Sequence, residues 1–554
     1  MINVTLKDKN YCQDKIIMKM ALQAENFILT FAYNPIIIND IKSSFTIRGY
    51  LPLIKAWIVP ADWIGITELF KFSKKYDIKT DKKSEILINK TLSKIRFNYA
   101  MSNAISIQNG NIKIKNGELR EFQKVVPMYL ERNNSVLIAD DMGLGKSLEA
   151  LVSIENRNAY PCLIICPANL KFNWENEVHK WLDRHVGLIH KKEASFNEEI
   201  IIINYDILKK YQDKLMSIPF QSIILDEIHY CKSSKTNRTK LVRKIANKIL
   251  IKIGLTGTPI LNRPNELISQ LQILDRLDPL GGYTYFSKRY CQASYNRFGY
   301  TNKGADNLDE LHTRLRSTCL IRRTKQEVLS ELPEKERTII PVEIDNRNEY
   351  QKAEKDFITW LKEVKGKIGS LSAEAIVKIE YLKQIVADGK LNQAIDWIKS
   401  FLKTEQKLVV FSNHIKIQQN LLKNFPFSAT IFGKDCLEKR QESVNKFQTD
   451  DNYKLILCSL KAGGVGITLT ASSTVLFLEL GWTPADHEQA EDRIHRIGQT
   501  NQVNIYYMIG YNTIEDWIVE LINKKRTIIK AITDGQLNQI QNIYNELIQK
   551  FIKK

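Results

Sequence analysis

The sequence predicts an α/β protein with two doubly wound parallel sheets, preceded by a small α+β domain. Two stretches of the chain alternate short apolar runs with helical patterns, which is typical of parallel strands covered by helices on both faces. The chain has 554 residues, of which 44% are hydrophobic, so we expect several cores and three or more domains. The predicted strands lie at 136–139, 162–166, 200–203, 222–225 and 250–255, and then at 407–411, 455–458, 475–478 and 503–508.

A glycine-rich turn follows the first predicted strand and opens a helix. The backbone N–H groups and the helix dipole of such a turn hold polyphosphate. Gly143 and Gly145 let the backbone approach the phosphates closely. Lys146 can reach the β- and γ-phosphates, and Ser147 can ligate Mg²⁺. The usual pattern has a glycine where this chain has Asp140, so the alternative is an ordinary glycine-containing turn.

Two adjacent carboxylates end the predicted strand at 222–225. The carboxyl ends of buried parallel strands are where ligands bind in sheets of this kind. Asp226 can hold the Mg²⁺ that accompanies ATP, directly or through water, and Glu227 can orient and deprotonate the attacking water. The alternative is a solvated Asp-Glu pair, but the upstream Lys146 turn favours the catalytic interpretation.

Two arginines are spaced three residues apart near the end of the second α/β stretch. The spacing of Arg493 and Arg496 predicts that both lie on one face of a helix. Guanidinium groups aimed at a γ-phosphate act as arginine fingers, which are worth roughly 10³–10⁵ in rate in other phosphoryl-transfer enzymes. The alternative is a pair of surface arginines that form salt bridges.

With these three elements in this order, the chain resembles the SWI/SNF-like branch of superfamily 2 DNA translocases and helicases over about residues 112–535. The resemblance implies that both sheets are RecA-like lobes, with ATP and Mg²⁺ as cofactors in the cleft between them. Leu119–Gln123 resembles the segment that reads adenine, with Gln123 as the base contact. Gln489 begins a segment that resembles the arginine motif. The implied catalytic residues are Lys146, Asp226, Glu227, Gln489, Arg493 and Arg496.

Four further segments resemble the motifs with which this family touches the DNA backbone. They are Leu163–Leu170 with Asn173–Glu175, Asn204–Tyr205, Leu408–His414 and Ser459–Thr468. The implied DNA-contacting residues are Asn169, Tyr205, His414 and Thr468. Contacts to phosphates carry no sequence information, so we expect DNA binding that is independent of sequence and sensitive to salt.

Another segment, Leu255–Pro259, resembles the element that couples the ATP state to domain closure. Two residues depart from the family pattern. Asp141 replaces the usual Glu and Ser147 a frequent Thr, and neither change removes a chemical role.

Finer features resemble one subgroup of this branch. Thr258–Leu267 and Leu320–Pro333 are similar to segments of the annealing helicases, which rewind DNA and remodel stalled replication forks. Near the N-terminus, Leu29–Pro35 and Lys55–Pro60 are similar to the small substrate-recognition domain named HARP in that group. A generic α+β domain is the alternative for this region.

The charge of the chain favours a polyanionic partner. The net charge is +19 and the isoelectric point is 9.3. Residues 1–118 contain eighteen Lys and Arg against ten Asp and Glu, a net charge of +8 in about a fifth of the chain. Lysines cluster there at Lys71, Lys74, Lys75, Lys79, Lys82 and Lys83. We expect double-stranded or forked DNA as the partner, and a solvated lysine-rich face is the alternative.

Eight cysteines include no C-x-x-C pair, which predicts neither a structural zinc site nor disulfides. The N-terminus is too polar for a signal peptide, and no apolar run approaches 18 residues. We therefore expect no membrane association. The expected location is the cytoplasm of a bacterial or virus-infected cell, or the nucleus if the source is eukaryotic.

The predicted division of the chain has six segments. They are a basic N-terminal domain (1–85), a connector (86–111), a first lobe that binds ATP (112–278), a helical insertion region (279–385), a second lobe (386–535) and a C-terminal helix (536–554).

Several functional interpretations remain open at this point. The favoured one is an ATP-dependent double-stranded DNA translocase, a monomeric motor that rewinds DNA or remodels forks. A second uses the same motor to displace proteins from DNA, with a replication or transcription protein as partner. A strand-separating helicase is a third. The fourth is a DNA-binding module whose nucleotide pocket is only a switch, which the complete set of catalytic residues disfavours.

Overall fold

A computed structural model of the chain describes residues 18–107, 112, 114–189, 195–257, 264–296, 299–302, 304–363, 373–463 and 467–533. The predicted C-terminal helix at 536–554 lies outside these residues.

The first folded unit is a five-stranded sheet with three helices, in the strand order β3-β4-β2-β1-β5. Its strands are β1 (Met18–Gln23), β2 (Asn26–Thr30), β3 (Gly49–Leu51), β4 (Ala56–Pro60) and β5 (Ile78–Thr80), and its helices are α1 (Pro35–Ser44), α2 (Trp63–Ser73) and α3 (Lys82–Ser102). Each helix begins where an Asn or Asp side chain accepts hydrogen bonds from the first turn. This is the α+β domain expected from the sequence.

Helix α3 belongs to this unit and to the next one. Leu92 packs in the core of the small domain, whereas Met101, about three turns later, packs in the core beneath the first large sheet. Asn98 is fully buried, and its side-chain amide donates to the carbonyls of Ser317 and Thr318. The boundary predicted at residue 85 therefore falls inside a continuous helix that joins the small domain to the first lobe.

The first lobe contains a parallel seven-stranded sheet in the order β14-β6-β11-β10-β7-β9-β8. In chain order, the strands are β6 (Ser135–Ile138), β7 (Cys162–Cys166), β8 (Val186–Leu188), β9 (Ile200–Asn204), β10 (Ser222–Asp226) and β11 (Ile251–Leu255), then a separate hairpin of β12 (Ser294–Asn296) and β13 (Gly299–Thr301), then β14 (Leu320–Ile321). The helices are α4 (Val125–Arg132), α5 (Lys146–Asn156), α6 (Lys171–Trp181), α7 (Gln212–Ser217), α8 (Asn237–Ala246), α9 (Asn265–Ile273), α10 (Gly282–Tyr290) and α11 (Leu308–Thr318). Apolar cores lie on both faces of the sheet, as a doubly wound fold requires.

The second lobe contains a parallel six-stranded sheet in the order β15-β20-β19-β16-β18-β17. Its strands are β15 (Lys335–Val342), β16 (Leu408–Ser412), β17 (Ala429–Ile431), β18 (Leu455–Ser459), β19 (Thr474–Phe477) and β20 (Val503–Gly510). A short helix α12 (Lys325–Val328) precedes it, and its own helices are α13 (Arg347–Glu363), α14 (Ala373–Gly389), α15 (Leu391–Leu402), α16 (Ile415–Asn424), α17 (Leu437–Thr449), α18 (Leu460–Gly463), α19 (Pro484–Glu491) and α20 (Ile514–Thr533).

The predicted α/β fold class with two parallel sheets is confirmed, and every predicted strand is present. The region 279–385, expected to be largely helical, also contributes an edge strand to each sheet. Strand β14 has only two residues, and β15 begins with four polar residues and is mostly exposed, so neither shows the pattern of a buried strand. The chain thus passes from the first sheet to the second between residues 322 and 334.

Two absences concern only the residues that the structure describes. Among them, no helix is both long and apolar enough to cross a membrane. No group of three or more His, Cys, Asp or Glu side chains in the same part of the chain could hold a metal ion.

Replacing Asn98 with Ala should destabilise the junction between the small domain and the first lobe. The substitution removes two hydrogen bonds to backbone carbonyls and leaves the buried side-chain amide of Asn133 without the Oδ1 atom to which it donates at 2.9 Å. A buried group left unsatisfied costs about 1–3 kcal/mol, so the melting temperature should fall by several degrees. The matched control is the exposed residue Ser93, whose change to Ala should stay within about 0.5 kcal/mol. Equal melting temperatures for the two variants would contradict this role.

Candidate nucleotide site between the two lobes

The glycine-rich turn lies at the carboxyl end of β6 and leads into α5. Gly143 and Gly145 have φ angles of 85° and 90°, a backbone conformation that side chains disfavour. The ammonium group of Lys146 donates to the carbonyls of Asp140 (2.7 Å) and Asp141 (3.1 Å), so the lysine folds back over the turn. Burial lowers the pKa of Lys146. Ser147 follows in the first turn of α5, which places both predicted phosphate-site side chains at one helix N-terminus.

Gln123, predicted to contact adenine, lies directly against this turn. Its side-chain oxygen accepts from the backbone N–H of Arg120 at 3.0 Å, and its amide donates to the carbonyl of Leu144 at 3.0 Å. A Cβ atom added to Gly145 would lie 2.6 Å from that amide nitrogen. Glycine at this position therefore allows Gln123 to pack on the turn.

Asp140, which stands where the usual pattern has a glycine, is a buried partner of Arg323. The guanidinium group donates to Asp140, to Glu149 at 2.6 Å and to the carbonyl of Phe122. Arg323 is 1% exposed and both carboxylate side chains are fully buried. The sequence analysis missed this triad, because Asp140 and Arg323 are 183 residues apart and only the fold brings them together.

The predicted carboxylates lie beside the turn, at the end of β10. Asp226 accepts a hydrogen bond from the indole N–H of Trp174 at 2.7 Å, and its backbone carbonyl accepts from the hydroxyl of Tyr205 at 2.9 Å. Burial, with the neighbouring charge of Glu227 as the next cause, raises the pKa of Asp226 to about 7. Trp174 was expected near DNA, and the structure instead shows it orienting a carboxylate.

Glu227 has a left-handed backbone conformation, with φ 50° and ψ 53°, which is rare for a residue with a side chain. Its buried Oε2 atom forms no hydrogen bond within the protein, although Nδ1 of His229 lies 3.1 Å away. A buried carboxylate oxygen whose one nearby donor is a histidine nitrogen keeps the capacity to accept a hydrogen bond from a water molecule. Ser147 and Asp226, the predicted metal residues, carry oxygen atoms of the kind that Mg²⁺ prefers.

The two arginines come from the second lobe and reach the glycine-rich turn of the first. The predicted shared helix is wrong, because α19 ends at Glu491 and both arginines lie in the turns that follow. They still converge, since the carbonyl of Ile467 accepts from Arg493 at 3.4 Å and from Arg496 at 3.1 Å. A Cβ atom added to Gly143 would lie 2.7 Å from Cβ of Arg496.

The arginine side chains are partly withdrawn from solvent, which favours the binding of an anion. Burial, followed by the charge of Arg496, lowers the pKa of Arg493 to about 10, and burial also lowers the pKa of Arg496. Arg493 also lies close to the turn itself, with Nη2 3.8 Å from the sulfur of Met142. The two guanidinium groups repel one another, so a phosphate between them and Lys146 would be stabilised.

A buried ion-pair network holds the arginine segment against the first lobe. The backbone N–H of Lys325 donates to Asp141 at 3.0 Å, and its ammonium group donates to Asp492 at 2.9 Å. Lys335 donates to the same oxygen of Asp492 at 2.7 Å. Although burial opposes it, the two lysines lower the pKa of Asp492 to about 2. Burial lowers the pKa of Lys325 to about 8.

Glu491, which directly precedes Asp492, completes the network. It accepts from Arg337 at 2.6 and 2.9 Å and from the hydroxyl of Tyr507 at 2.7 Å. The two residues before Arg493 are thus anchored to β15, β20 and the segment that connects the sheets.

The remaining predicted residues separate into two groups. Thr468 and Gln489 join the arginine pair, because the Thr468 hydroxyl accepts from Arg496 at 2.8 Å and the Gln489 carbonyl accepts from Arg493 at 3.0 Å. Asn169 lies partly exposed in a helical turn after β7. The predicted segments at 258–263 and 464–466 lie outside the described residues.

Tyr205 and His414 form intramolecular contacts. Tyr205 is 3% exposed and stacks on Tyr230, so in this conformation its side chain is not accessible to a DNA backbone. His414 precedes α16 and pairs with the buried Glu479, whose contact raises the pKa of His414.

Comparisons with known proteins show which families this chain is similar to. The SNF2-related domain matches residues 120–391, and the helicase conserved C-terminal domain matches residues 389–498. The human protein named "DNA annealing helicase and endonuclease ZRANB3" is 32% identical over 446 residues, which are 76% of this chain and 41% of that protein. The Caenorhabditis elegans homolog of the "SWI/SNF-related matrix-associated actin-dependent regulator of chromatin subfamily A-like protein 1" is 29% identical over 517 residues, covering 89% of this chain and 73% of that protein.

A solved structure, the "Sulfolobus solfataricus SWI2/SNF2 ATPase core in complex with dsDNA", is 25% identical and covers 77% of this chain and 96% of that one, with a TM-score of 0.38. The chain spans less than half the length of the human relative.

Two parallel-sheet lobes with a nucleotide site at their junction define a helicase-type ATPase core. Within that class, the chain belongs to the SNF2-related family, as the two domain matches and the annealing-helicase relatives show.

Replacing Arg323 with Met should destabilise the first lobe by about 3–5 kcal/mol, because it leaves Asp140 and Glu149 buried without a counter-charge. Unpaired buried carboxylates have raised pKa values in the folded state, so their penalty is smallest below the unfolded-state pKa and grows as the pH rises. The gap in melting temperature from the parent should therefore be smaller at pH 5 than at pH 8. The control is Arg243→Met on the exposed face of α8. A gap independent of pH would contradict ion pairing between Arg323 and these carboxyl groups.

Replacing Lys325 with Met should lower the kcat for ATP hydrolysis by about tenfold or more while leaving the KM for ATP within about threefold. The variant loses a bond that positions the arginine segment, and small misplacements of reacting groups are costly. Steady-state kinetics at saturating DNA check this. The exposed pair of Lys416 and Asp388 supplies the control, Lys416→Met. An unchanged kcat would exclude a positioning role for Lys325.

Proposed function

We propose that this chain is an ATP-dependent motor that moves along double-stranded DNA and rewinds or remodels it at forks or bubbles. One observation carries the proposal: Arg493 and Arg496 of the second lobe lie at the phosphate-binding turn of the first. A site completed by both lobes hydrolyses ATP only when the lobes are in register, so each turnover is tied to a lobe movement.

In the proposed site, the backbone from Gly143 to Gly145 holds the phosphates with Lys146. Gln123 is buried and bonded to Arg120 and Leu144, so it contacts the adenine only after its side chain turns out of these bonds. Ser147 and Asp226 hold Mg²⁺, which neutralises phosphate charge. Glu227 orients the attacking water. Its Oε2 atom lies 3.1 Å from Nδ1 of His229 and can accept a further hydrogen bond, which supports this role.

Arg493 and Arg496 stabilise the charge that develops on the transferred group. Gln489 accepts a hydrogen bond from Arg493 through its backbone carbonyl and thereby helps to hold the arginine in place.

The proposed DNA contacts come from both lobes, with Asn169 in the first and His414 and Thr468 in the second. Thr468 also accepts from Arg496, so a contact at this residue would link DNA directly to the arginine pair. Tyr205 contributes to DNA binding only after a rearrangement that exposes it. Contacts of this kind read backbone phosphates, so affinity should fall steeply with salt.

The relatives favour rewinding over strand separation, because the human relative is named an annealing helicase. The chain matches 41% of that protein, so its endonuclease activity is not carried over. We infer a monomeric motor located with cellular DNA. The six-segment division stays a proposal, except that its boundary at residue 85 lies within α3, the helix that joins the small domain to the first lobe.

The decisive measurement is the steady-state ATPase rate without nucleic acid and with single-stranded DNA, duplex DNA, forked DNA or RNA. We expect the largest stimulation by duplex and forked DNA. Glu227→Gln should reduce the stimulated rate by about 10²-fold or more, because general-base catalysis is worth about 10²–10⁴. The control, Glu374→Gln on an exposed helix, should match the parent. Equal stimulation by RNA and single strands would point to a conventional helicase instead.

A further inference from the structure

A second concave site lies at the opposite end of the first sheet from the nucleotide site. It is an open cleft of about 500 Å³ at the amino ends of β6 and β11. Arg132 at the end of α4, Arg276 just after α9 and Lys94 of α3 line it, together with Lys248 and Lys252. The cleft therefore forms where the small domain's last helix meets the first lobe.

The lining is strongly cationic, with five Lys or Arg side chains and a single carboxylate, Asp275. That carboxylate is already paired with Lys252, which is 2% exposed. Within the part of the chain that the structure describes, no ion pair is formed by Lys94, Arg132 or Lys248. Three cations thus face the cleft without a counter-charge.

Two of the guanidinium groups are held in fixed orientations. Arg276 donates to the hydroxyl of Ser135 at 2.7 Å and to its backbone carbonyl at 3.3 Å. Arg132 lies over the ring of Phe97, 4.6 Å from its centroid. Oriented guanidinium groups recognise phosphate by paired hydrogen bonds, and less side-chain entropy is lost on binding when they are held in place beforehand.

Electrostatic repulsion between the cations disfavours their charged forms. Partial burial, then the positive charges of Arg276 and Lys90, lower the pKa of Lys94. A bound anion would remove this repulsion. The cleft is open and contains more cations than a single phosphate requires, which favours a polyanion that passes across it.

The cleft cannot share the ligand of the nucleotide site. Strand β11 has five residues, so its amino end at the cleft and its carboxyl end at the nucleotide site are about 16 Å apart, at roughly 3.3 Å per residue. A polyanion in the cleft must therefore be a separate molecule or a separate segment.

We propose that this cleft binds the phosphodiester backbone of a DNA segment distinct from the one along which the lobes move, such as the second arm of a branched duplex. The assignment rests on the proposed function, because it takes the polyanion to be DNA. It gives the small domain a defined part in substrate selection, since α3 contributes Lys94 to one wall.

The test compares two double charge reversals of equal net change. Lys94→Glu with Lys248→Glu alters exposed residues of the cleft, and Lys399→Glu with Lys423→Glu alters exposed residues of the second lobe. Fluorescence anisotropy without nucleotide measures affinity for a forked duplex and for an unbranched duplex across a salt series. The ATPase rate at saturating unbranched duplex is measured in parallel.

We expect the cleft variant to bind the fork about tenfold or more weakly, with the slope of log K against log salt reduced by about 2, at roughly 0.9 per phosphate contact. Affinity for the unbranched duplex and its stimulated ATPase rate should change little. Equal loss in both variants, or no loss in the cleft variant, overturns the proposal. If the cleft variant loses binding of tripolyphosphate while its affinity for the fork stays intact, the proposal is also overturned. The ligand of the cleft would then be a free phosphate compound.

A second measurement does not depend on charge reversal. Leu250 is 60% exposed at the cleft, and a benzophenone attached after Leu250→Cys, with Cys12 and Cys436 changed to Ser, should crosslink to forked DNA. The same label after Phe427→Cys, at a position 87% exposed in the second lobe, is the control. Absence of crosslinks from the cleft position overturns the proposal. A parent without DNA-stimulated ATPase would refute the proposed function, whereas fork affinity and crosslinking would still decide the cleft.

Discussion

The buried ion pairs of residues 322–337 are the interactions on which the rest of the structure depends. Arg323 pairs with both Asp140 and Glu149 beneath the phosphate-binding turn, and Lys325 reaches from Asp141 to Asp492 in the other lobe. Because each lobe contributes one half of the nucleotide site, a segment bonded to both determines whether the halves meet.

Such a network is a costly way to stabilise a protein, because desolvating a charge opposes much of the Coulomb attraction. Its directional bonds fix the orientation of the bonded groups more narrowly than apolar packing does, since each partner accepts a limited set of orientations. Asp492 precedes Arg493 directly, and two lysines hold it on one oxygen. The orientation of the arginine segment is therefore specified by charge, and a change of lobe position must break or exchange these bonds.

The small domain is joined to the first lobe by a helix that packs in both units. One helix, α3, packs its first half in the small domain and its last turns under the first large sheet. The two units must then move together during lobe closure. The basic cleft at their junction is lined by α3 and the first lobe, so it moves with that lobe. It lies at the opposite end of the first sheet from the site where ATP binds.

The sequence by itself determined the parts of the molecule whose signal is local. Buried parallel strands are continuous apolar runs, so each of those predicted in both lobes is present. Phosphate-binding turns and strand-end carboxylates are contiguous, so Lys146, Asp226 and Glu227 were assigned from their neighbours alone. The edge strands β14 and β15 were missed, because β14 has only two residues and β15 is mostly exposed and half polar.

Only the tertiary structure decided which distant residues serve the site. The pairing of Asp140 with Arg323, the bond from Trp174 to Asp226 and the anchoring of Asp492 by Lys325 join residues 52 to 183 positions apart. It also ended α19 before the arginines and buried Tyr205, where spacing predicted a helix and resemblance implied a DNA contact. The physical reason is that a charged or polar side chain looks the same in sequence whether it faces water or a partner, and only packing assigns the partner.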